Sequence, residues 1–221
     1  MSAAGFASPG GEGAPGGRSQ RAASPLIGVL ALQGGFEAHR RALERLGAGT
    51  REVRVPSDLE GLDGLVIPGG ESTTITLGIE REGLAAPLVD LIAGGTPVLG
   101  SCAGLIMLDR DHLGVMDVRA ERNAFGRQVR SFEADLEVAG IDGGPLRGIF
   151  IRAPWIAEHG PGVEVLAELD GHPVAARQDN MLAVAFHPEL GEDDRVHRRL
   201  LALVGERLAI LAGDADSHLQ R

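Results

Sequence analysis

The chain has 221 residues, of which 43 % are apolar and 24 % charged, a composition typical of one globular domain. Its net charge of −10 argues against a nucleic acid or an anionic membrane as partner, because both are bound through clustered basic residues. The single cysteine, Cys102, excludes an intramolecular disulfide, and no apolar run approaches the roughly 18 residues of a membrane span. We therefore expect a soluble cytoplasmic protein with neither nucleic-acid nor membrane partners.

The first 24 residues differ in composition from the rest of the chain. They are mostly Gly, Ala, Ser and Pro, with only Met1 and Phe6 as bulky apolar side chains. Such a segment buries too little apolar surface to offset the entropy lost on ordering, and it lacks the apolar stretch of a secretory signal. We predict a disordered extension over 1–24, a folded domain over 25–213 and a flexible tail over 214–221.

From Pro25 onward, short apolar runs alternate with amphipathic segments. Runs bounded by glycine or proline predict buried strands, and apolar residues at helical spacing predict helices. In chain order the pattern predicts a strand at 26–32, a helix at 36–46, strands at 50–55 and 64–67, helices at 72–81 and 84–93, a strand at 97–100, and a helix from Cys102 or just after it. Strands that alternate with helices imply a parallel sheet covered on both faces.

The second half of the domain has a different pattern. It predicts strands at 128–138, 148–152, 163–169, 174–178 and 181–186, separated by short turns, and a closing helix at 194–211. Strands joined by short turns are typical of antiparallel hairpins, here added to the parallel sheet. The predicted fold is α/β: a doubly wound, mostly parallel sheet flanked by helices, with added antiparallel hairpins.

The segment Gly100-Ser101-Cys102-Ala103-Gly104 lies between a predicted strand and a predicted helix. This is the pattern of a nucleophile elbow, in which glycines two residues either side of the nucleophile leave room for neighbouring elements. A helix N-terminus also supplies partial positive charge, which favours a thiolate. On this segment alone, an ordinary buried cysteine remains the alternative.

A second polar segment, Phe186-His187-Pro188-Glu189, follows the last predicted strand. Residues two apart in an extended chain point the same way, so His187 and Glu189 project together. A carboxylate beside an imidazole fixes its tautomer, which is what a Cys–His mechanism needs. Because open α/β sheets place their sites at the carboxyl ends of strands, we predict a catalytic set of Cys102, His187 and Glu189. Six histidines lack such a context and are expected to be structural or solvated: His39, His112, His159, His172, His197 and His218.

The third segment, Pro68-Gly69-Gly70-Glu71-Ser72-Thr73, also follows a predicted parallel strand. Paired glycines let backbone N–H groups approach a ligand. The N–H groups of Gly70 and Ala103 could thus form an oxyanion hole for a tetrahedral intermediate. The alternative is an ordinary turn in which Ser72 caps the following helix.

These three segments resemble those of class I (triad) glutamine amidotransferases. Further segments narrow the resemblance to the family of glutaminase subunits of pyridoxal 5'-phosphate synthase: L-Q-G at 32–34, E-R-N-A-F-G-R-Q at 121–128, S-F-E at 131–133 and F-I-R-A-P at 150–154. The resemblance covers about residues 26–210.

The resemblance implies a reaction and a set of roles. Cys102 would attack the side-chain amide of L-glutamine, releasing ammonia and leaving a γ-glutamyl thioester for hydrolysis, with His187 as general base and acid and Glu189 as its orienting group. The positions that match the family's glutamine-binding residues are Gly70, Glu71, Ser72, Arg122, Ile151 and Arg152. A guanidinium suits the α-carboxylate of glutamine.

The resemblance also implies a partner. The ammonia would pass to a separate (β/α)8-barrel synthase subunit in a hetero-oligomeric complex, and the glutaminase itself would need neither a metal nor a bound cofactor.

Three other functions are weaker alternatives. A triad glutaminase of histidine or nucleotide biosynthesis would not carry the segments at 121–128 and 150–154. A cysteine hydrolase or chaperone-like protein of the related elbow fold would not need His-Pro-Glu after the late strand. A regulatory binding subunit with an inactive site would be free to lose Cys102, His187 or Glu189, and all three are present.

Overall fold

The computed structural model describes residues 24–122, 124–125 and 131–219, with side chains described as far as Gly213. Apart from Ser24, the predicted disordered extension lies outside these ranges. The strands are β1 (Leu26–Leu30), β2 (Gly49–Val53), β3 (Gly64–Ile67), β4 (Val98–Ser101), β5 (Val118–Glu121), β6 (Ser131–Leu136), β7 (Leu146–Ile151), β8 (Trp155–His159), β9 (Glu164–Leu169), β10 (His172–Gln178) and β11 (Met181–Val184). The helices are α1 (Phe36–Arg45), α2 (Ser72–Arg81), α3 (Ala85–Ala93), α4 (Ala103–Leu108) and α5 (Arg195–Leu219), with a 3-10 turn at Pro56–Leu59.

The main sheet has seven strands in the order β2-β1-β3-β4-β11-β10-β9. The five strands from β2 to β11 are parallel to one another, and β10 and β9 continue the sheet antiparallel. The step from β1 to β2 and the step from β3 to β4 run in opposite directions across the sheet. Right-handed crossovers therefore place α1 on one face and α2 and α3 on the other. The predicted doubly wound α/β fold is confirmed.

The central strands are apolar along their whole length because both faces of the sheet are covered. Every residue of β3 and β4 is buried, including Val66 and Leu99 in adjacent strands. Gly64 begins β3 where space is short, since a Cβ there would lie 2.8 Å from Val204 of α5. The continuous apolar runs that predicted these strands thus reflect burial on both faces.

Part of the second half does not join the main sheet. The predicted addition of hairpins holds for β9 and β10 but is wrong for β6 and β7, which form a separate two-stranded antiparallel ribbon. A second ribbon, β5 with β8, was not predicted. Phe150 of β7 stacks on Phe132 at 4.8 Å between ring centroids and meets Phe186 edge-on at 5.7 Å. The β6–β7 ribbon is therefore attached to the core by aromatic packing.

The last helix is longer than predicted. Its backbone is helical from Arg195 to Leu219, so it includes most of the segment expected to be a flexible tail, and residues 220–221 lie outside the described ranges. Within those ranges, none of the helices has the length and apolarity needed to cross a membrane.

Candidate active site

A cleft of about 400 Å³ lies at the carboxyl edge of the parallel strands. The loops after β1, β3, β4 and β11 all reach it, at the place where the strand order reverses and open α/β sheets bind ligands. All ten residues predicted from the sequence line this cleft: Gly70, Glu71, Ser72, Cys102, Ala103, Arg122, Ile151, Arg152, His187 and Glu189.

Cys102 stands on a sharp turn between β4 and α4. Its φ of 49° and ψ of −105° lie where side chains are rarely found, and its N–H donates to the carbonyl of Val184 in β11 at 2.8 Å. A Cβ at Gly100 would lie 2.7 Å from the carbonyl oxygen of Gly104, and one at Gly104 would overlap the carbonyl of Ile67. The two glycines therefore let the elbow pack against both neighbouring elements.

His187 follows β11 and faces Cys102 across the cleft floor. Its backbone N–H donates to the carbonyl of Ile149 in β7 at 2.8 Å, and its Nδ1 lies 2.7 Å from Glu189 Oε1. Burial alone would lower the pKa of His187, but its hydrogen bonds with Cys102 and Glu189 outweigh burial and raise the pKa to about 10. The imidazole is therefore held as an imidazolium beside the sulfur.

Glu189 is buried, with 7 % of its surface exposed. Burial alone would raise its pKa, but the hydrogen bond from His187 and the contact with His39 hold the pKa of Glu189 well below its usual range. Glu189 Oε2 lies 3.2 Å from Nε2 of His39, which is itself fully buried. The carboxylate is thus ionised although it is buried.

The loop after β3 approaches the imidazole closely. The N–H of Gly69 donates to Ser101 Oγ at 3.0 Å, and the Gly69 carbonyl accepts from Gly35 N–H at 2.9 Å. A Cβ at Gly69 would lie 2.8 Å from His187 Nδ1 and 3.2 Å from the Cβ of Cys102. Only a glycine leaves this space to His187.

The helix after this loop is capped by Glu71 rather than by Ser72, which is already the first residue of α2. The Glu71 carboxylate accepts from the N–H groups of Thr73 at 3.1 Å and Thr74 at 2.7 Å, and from the Thr74 hydroxyl at 2.8 Å. These hydrogen bonds, that of the Thr74 hydroxyl first, lower the pKa of Glu71 to about 2. The N–H of Glu71 donates to Gln33 Oε1 at 2.7 Å. Glu71 therefore shapes the loop both through the side chain that caps α2 and through its backbone.

The two arginines of the cleft are carried by the ribbons. Arg122 follows β5, and its guanidinium lies 3.4 Å from Thr73 Oγ1. Arg152 follows Ile151 at the end of β7 and has a φ of 46°, a strained conformation for an arginine. Both arginines line a cleft in a strongly acidic chain, and a guanidinium is chemically suited to a carboxylate.

Sequence reasoning missed three contributors to the site. Ser101 and Gln33 stood within quoted motifs, but only the structure shows that each accepts a hydrogen bond from the loop after β3. His39 was expected to be structural or solvated, and it lies 3.2 Å from the carboxylate of Glu189. In the part of the chain that the structure describes, no group of three or more His, Cys, Asp or Glu side chains could hold a metal ion.

Comparison with known families adds an independent observation. A model of the SNO glutamine amidotransferase family matches residues 29–204, most of the chain. The chain belongs to this family. The predicted resemblance to the glutaminase subunits of pyridoxal 5'-phosphate synthase is confirmed by relatives that carry the name of that synthase's subunit PdxT. One from Parafrankia sp. is 51 % identical, covering 86 % of this chain and 98 % of the relative, and one from Deinococcus radiodurans is 50 % identical, covering 82 % and 98 %.

Solved structures agree with this family membership. A structure described as a glutamine amidotransferase is 49 % identical and superposes with a TM-score of 0.76, covering 81 % of this chain and 98 % of its own. A structure of PurLQS from Thermotoga maritima is 17 % identical, with a TM-score of 0.63 over 84 % of this chain and 99 % of its own, and so shares the fold.

Proposed function

We propose that this chain is the glutaminase subunit of a pyridoxal 5'-phosphate synthase, hydrolysing L-glutamine and delivering ammonia to a synthase subunit. The observation that carries the proposal is the arrangement of Cys102, His187 and Glu189 in the cleft that also holds Arg122 and Arg152. Nucleophile, base and orienting acid are thus combined with two cations suited to an amino-acid carboxylate. The relatives named above carry the name of one of the subunits of this synthase.

In the first half of the reaction, the Cys102 sulfur attacks the side-chain carbonyl carbon of glutamine. The carbonyl oxygen becomes an oxyanion, and the imidazolium of His187 gives its proton to the amide nitrogen as the carbon–nitrogen bond breaks. Ammonia leaves and a γ-glutamyl thioester remains on Cys102. Glu189 holds the imidazole through Nδ1, so Nε2 is directed at the sulfur and at the leaving group.

The oxyanion is assigned to two backbone donors. In the described part of the chain, the N–H of Gly70 has no hydrogen-bond partner. Ala103 is the first residue of α4, so its N–H has no intrahelical acceptor. Donors of this kind stabilise charge that develops only in the transition state, and removing one typically costs about 10²–10³ in rate.

In the second half, water hydrolyses the thioester. His187, now neutral, removes a proton from the attacking water, and the collapse of the tetrahedral intermediate expels the Cys102 thiolate and releases glutamate. The positive charge returns to His187 beside the sulfur, which restores the starting state.

Recognition of glutamine is assigned to the rim of the cleft. Arg122 and Arg152 pair with the α-carboxylate, while Gly70, Glu71, Ser72 and the backbone at Ile151 bound the space for the side chain. A glutamine held at its α-carboxylate presents its far-end amide to Cys102, so the site selects by length as well as by charge.

The proposal includes a cytoplasmic location and a (β/α)8-barrel partner that receives the ammonia. We expect glutamine hydrolysis to increase when that partner docks near the loop at 68–73. An acceptor subunit that controls the glutaminase prevents wasteful release of ammonia into water.

Glutamate production by the purified chain, alone and with the synthase subunit of a relative, tests the proposal. We expect activity that rises with the synthase and is lost in Cys102→Ala. Strong activity indifferent to the synthase would assign the ammonia to another acceptor pathway. Absence of activity in both mixtures would favour a binding subunit with an inactive site.

A further inference from the structure

A buried polar cluster lies beneath the catalytic carboxylate and is not used by the reaction described above. It joins His39 of α1, Ser101 of β4, Glu189 and His197 of α5, and both histidines and Ser101 are fully buried. His39 Nε2 lies 3.0 Å from Ser101 Oγ and 3.2 Å from Glu189 Oε2, while His39 Nδ1 lies 2.9 Å from His197 Nε2. Burying this many polar groups is costly unless they are paired, so the cluster calls for an explanation.

The position of the proton on His39 follows from its neighbours. An unprotonated Nε2 would direct a lone pair at a buried carboxylate oxygen 3.2 Å away, which is repulsive. Nε2 therefore carries the proton, which is directed at Ser101 Oγ, while Glu189 Oε2 lies beside the same nitrogen at 3.2 Å. Oε2 is buried and accepts no hydrogen bond from any described residue, so the nearby His39 N–H is its nearest polar neighbour of complementary charge. A hydrogen bond with His187 thus holds Oε1 of Glu189, and the close approach of His39 Nε2 confines Oε2.

His197 lies against Nδ1 of His39, on the side of the ring away from Glu189, and favours this tautomer of His39. Burial is the main cause that lowers the pKa of His197 to about 3, so its ring is neutral. With the His39 proton on Nε2, Nδ1 of His39 is left as an acceptor, and the neutral His197 can donate to it through Nε2–H at 2.9 Å. The remaining charged groups near His197 are Asp194 and Arg45, which form an ion pair at 2.8 Å.

Ser101 extends the connection to the glycine loop. Its Oγ accepts both the His39 Nε2–H and the N–H of Gly69, the residue against which the His187 imidazole packs. The His39 imidazole therefore contacts Glu189, which orients His187. Through the Ser101 hydroxyl it is also linked to the backbone of Gly69, which confines the His187 ring.

We propose that His39 is a positioning residue for the catalytic histidine, acting through Glu189 Oε2 and Ser101 Oγ. The inference rests on the proposed function, in which His187 is the proton carrier. Without the His39 N–H, Glu189 can rotate about its side chain and no longer holds His187 at the angle that the reaction needs. Groups that orient the ligands of metal sites typically change affinity or activity by about 10- to 100-fold, and we take the same scale for a group that orients Glu189.

Three variants at full synthase saturation test the role. His39→Leu removes the N–H at similar volume and should lower kcat about 10- to 100-fold while leaving KM for glutamine within about threefold. His39→Gln keeps an N–H near the position of Nε2 and should recover most of kcat. His112→Leu is the matched control, because His112 also pairs with a buried carboxylate, that of Asp109 at 2.7 Å, but lies outside the cleft. This control variant should lower Tm without changing kcat.

A double variant separates positioning from general structural damage. If His39 acts through Glu189, His39→Leu should add less than about twofold to the loss already caused by Glu189→Gln. Losses that multiply would overturn the proposal. If His39→Leu does not fold, His39→Gln is compared with His39→Asn instead. The shorter side chain of asparagine cannot reach Glu189 Oε2, so His39→Asn should lose activity that His39→Gln keeps. Equal activity of these two variants would also overturn the proposal.

Alkylation of Cys102 by iodoacetamide keeps the test independent of the substrate, because it reports on the Cys102–His187 pair alone. We expect about tenfold slower alkylation at neutral pH in His39→Leu. If the wild type makes no glutamate but its alkylation still depends on His39, the proposed function fails and the positioning role stands. If kcat and alkylation in His39→Leu both equal the wild-type values, the positioning role is refuted.

Discussion

Replacing Gly69 by alanine would insert one methyl group between the loop after β3 and the imidazole of His187. The new Cβ would lie 2.8 Å from His187 Nδ1, and closer still to Cε1. Non-bonded heavy atoms of this kind prefer separations of about 3.5–4.0 Å, so the ring must retreat by about 1 Å. His187 cannot retreat freely, since its Nδ1 is fixed by Glu189 at 2.7 Å and its backbone by Ile149 at 2.8 Å.

The displacement sets the size of the effect. A misplacement of about 1 Å in a catalytic site can cost about 10²-fold in rate, and overpacking a buried site typically costs about 1–3 kcal/mol of stability. We therefore expect Gly69→Ala to lower kcat for glutamate production about 100-fold and to lower the free energy of unfolding by about 1–3 kcal/mol. Both are measured on one preparation, by a coupled glutamate assay with saturating synthase and by urea unfolding.

Gly205→Ala supplies the matched control. Gly205 lies inside α5, and a Cβ there meets nothing within 4 Å. Alanine in a helix interior should raise stability by about 0.5–1 kcal/mol and leave kcat unchanged. Gly69→Ala with kcat within threefold of the wild-type value would refute the reasoning, because the imidazole would then have room that the structure denies it.

Three further predictions concern the same site. Glu189→Gln should lower the pKa of His187 from about 10 and reduce kcat about 10²–10⁴-fold, read from a pH–rate profile; an unchanged profile would contradict the role of the carboxylate. Arg152→Gln and Arg122→Gln should each raise KM for glutamine more than they change kcat, measured by steady-state kinetics; an effect on kcat alone would exclude them from substrate binding. Folding raises the pKa of His187 from 6.5 to about 10, so the stability it contributes is complete below pH 6.5 and is lost as the pH rises towards 10. Urea unfolding at about pH 6.5 and 9.5 should show this loss in the wild type but not in His187→Gln.

The parts of the fold that sequence reasoning predicted are those where burial dictates composition. β1, β3, β4 and β11 are covered on both faces, so each reads as an apolar run and was placed within a few residues. The elbow at Cys102 was recognisable because its glycines are required by close backbone contacts. Features that depend on burial or on contacts between nearby residues can thus be predicted from the local sequence.

What sequence reasoning missed depends on partners that are far apart in the chain. β5 and β8 are short, carry charged residues and pair across more than thirty positions, so neither showed a clear alternation. β6 and β7 were predicted as strands, but nothing local showed that they would form a separate ribbon. The contact between His39 and Glu189 joins residues 150 positions apart, and a lone histidine in an amphipathic helix carries no mark of such a partner.

The residues that line the cleft come partly from the main sheet and partly from the two ribbons, and this origin affects how the specificity of such enzymes can evolve. Cys102 and His187 stand at the ends of strands of the main sheet, whereas Arg122 and Arg152 follow strands of the two small ribbons. In the proposed function, bond-breaking and recognition of the amino-acid head group are therefore assigned to separate stretches of chain. Substitutions or insertions in the ribbons can retune which amide is accepted while the reacting groups keep their support, so specificity can diverge on an unchanged catalytic frame.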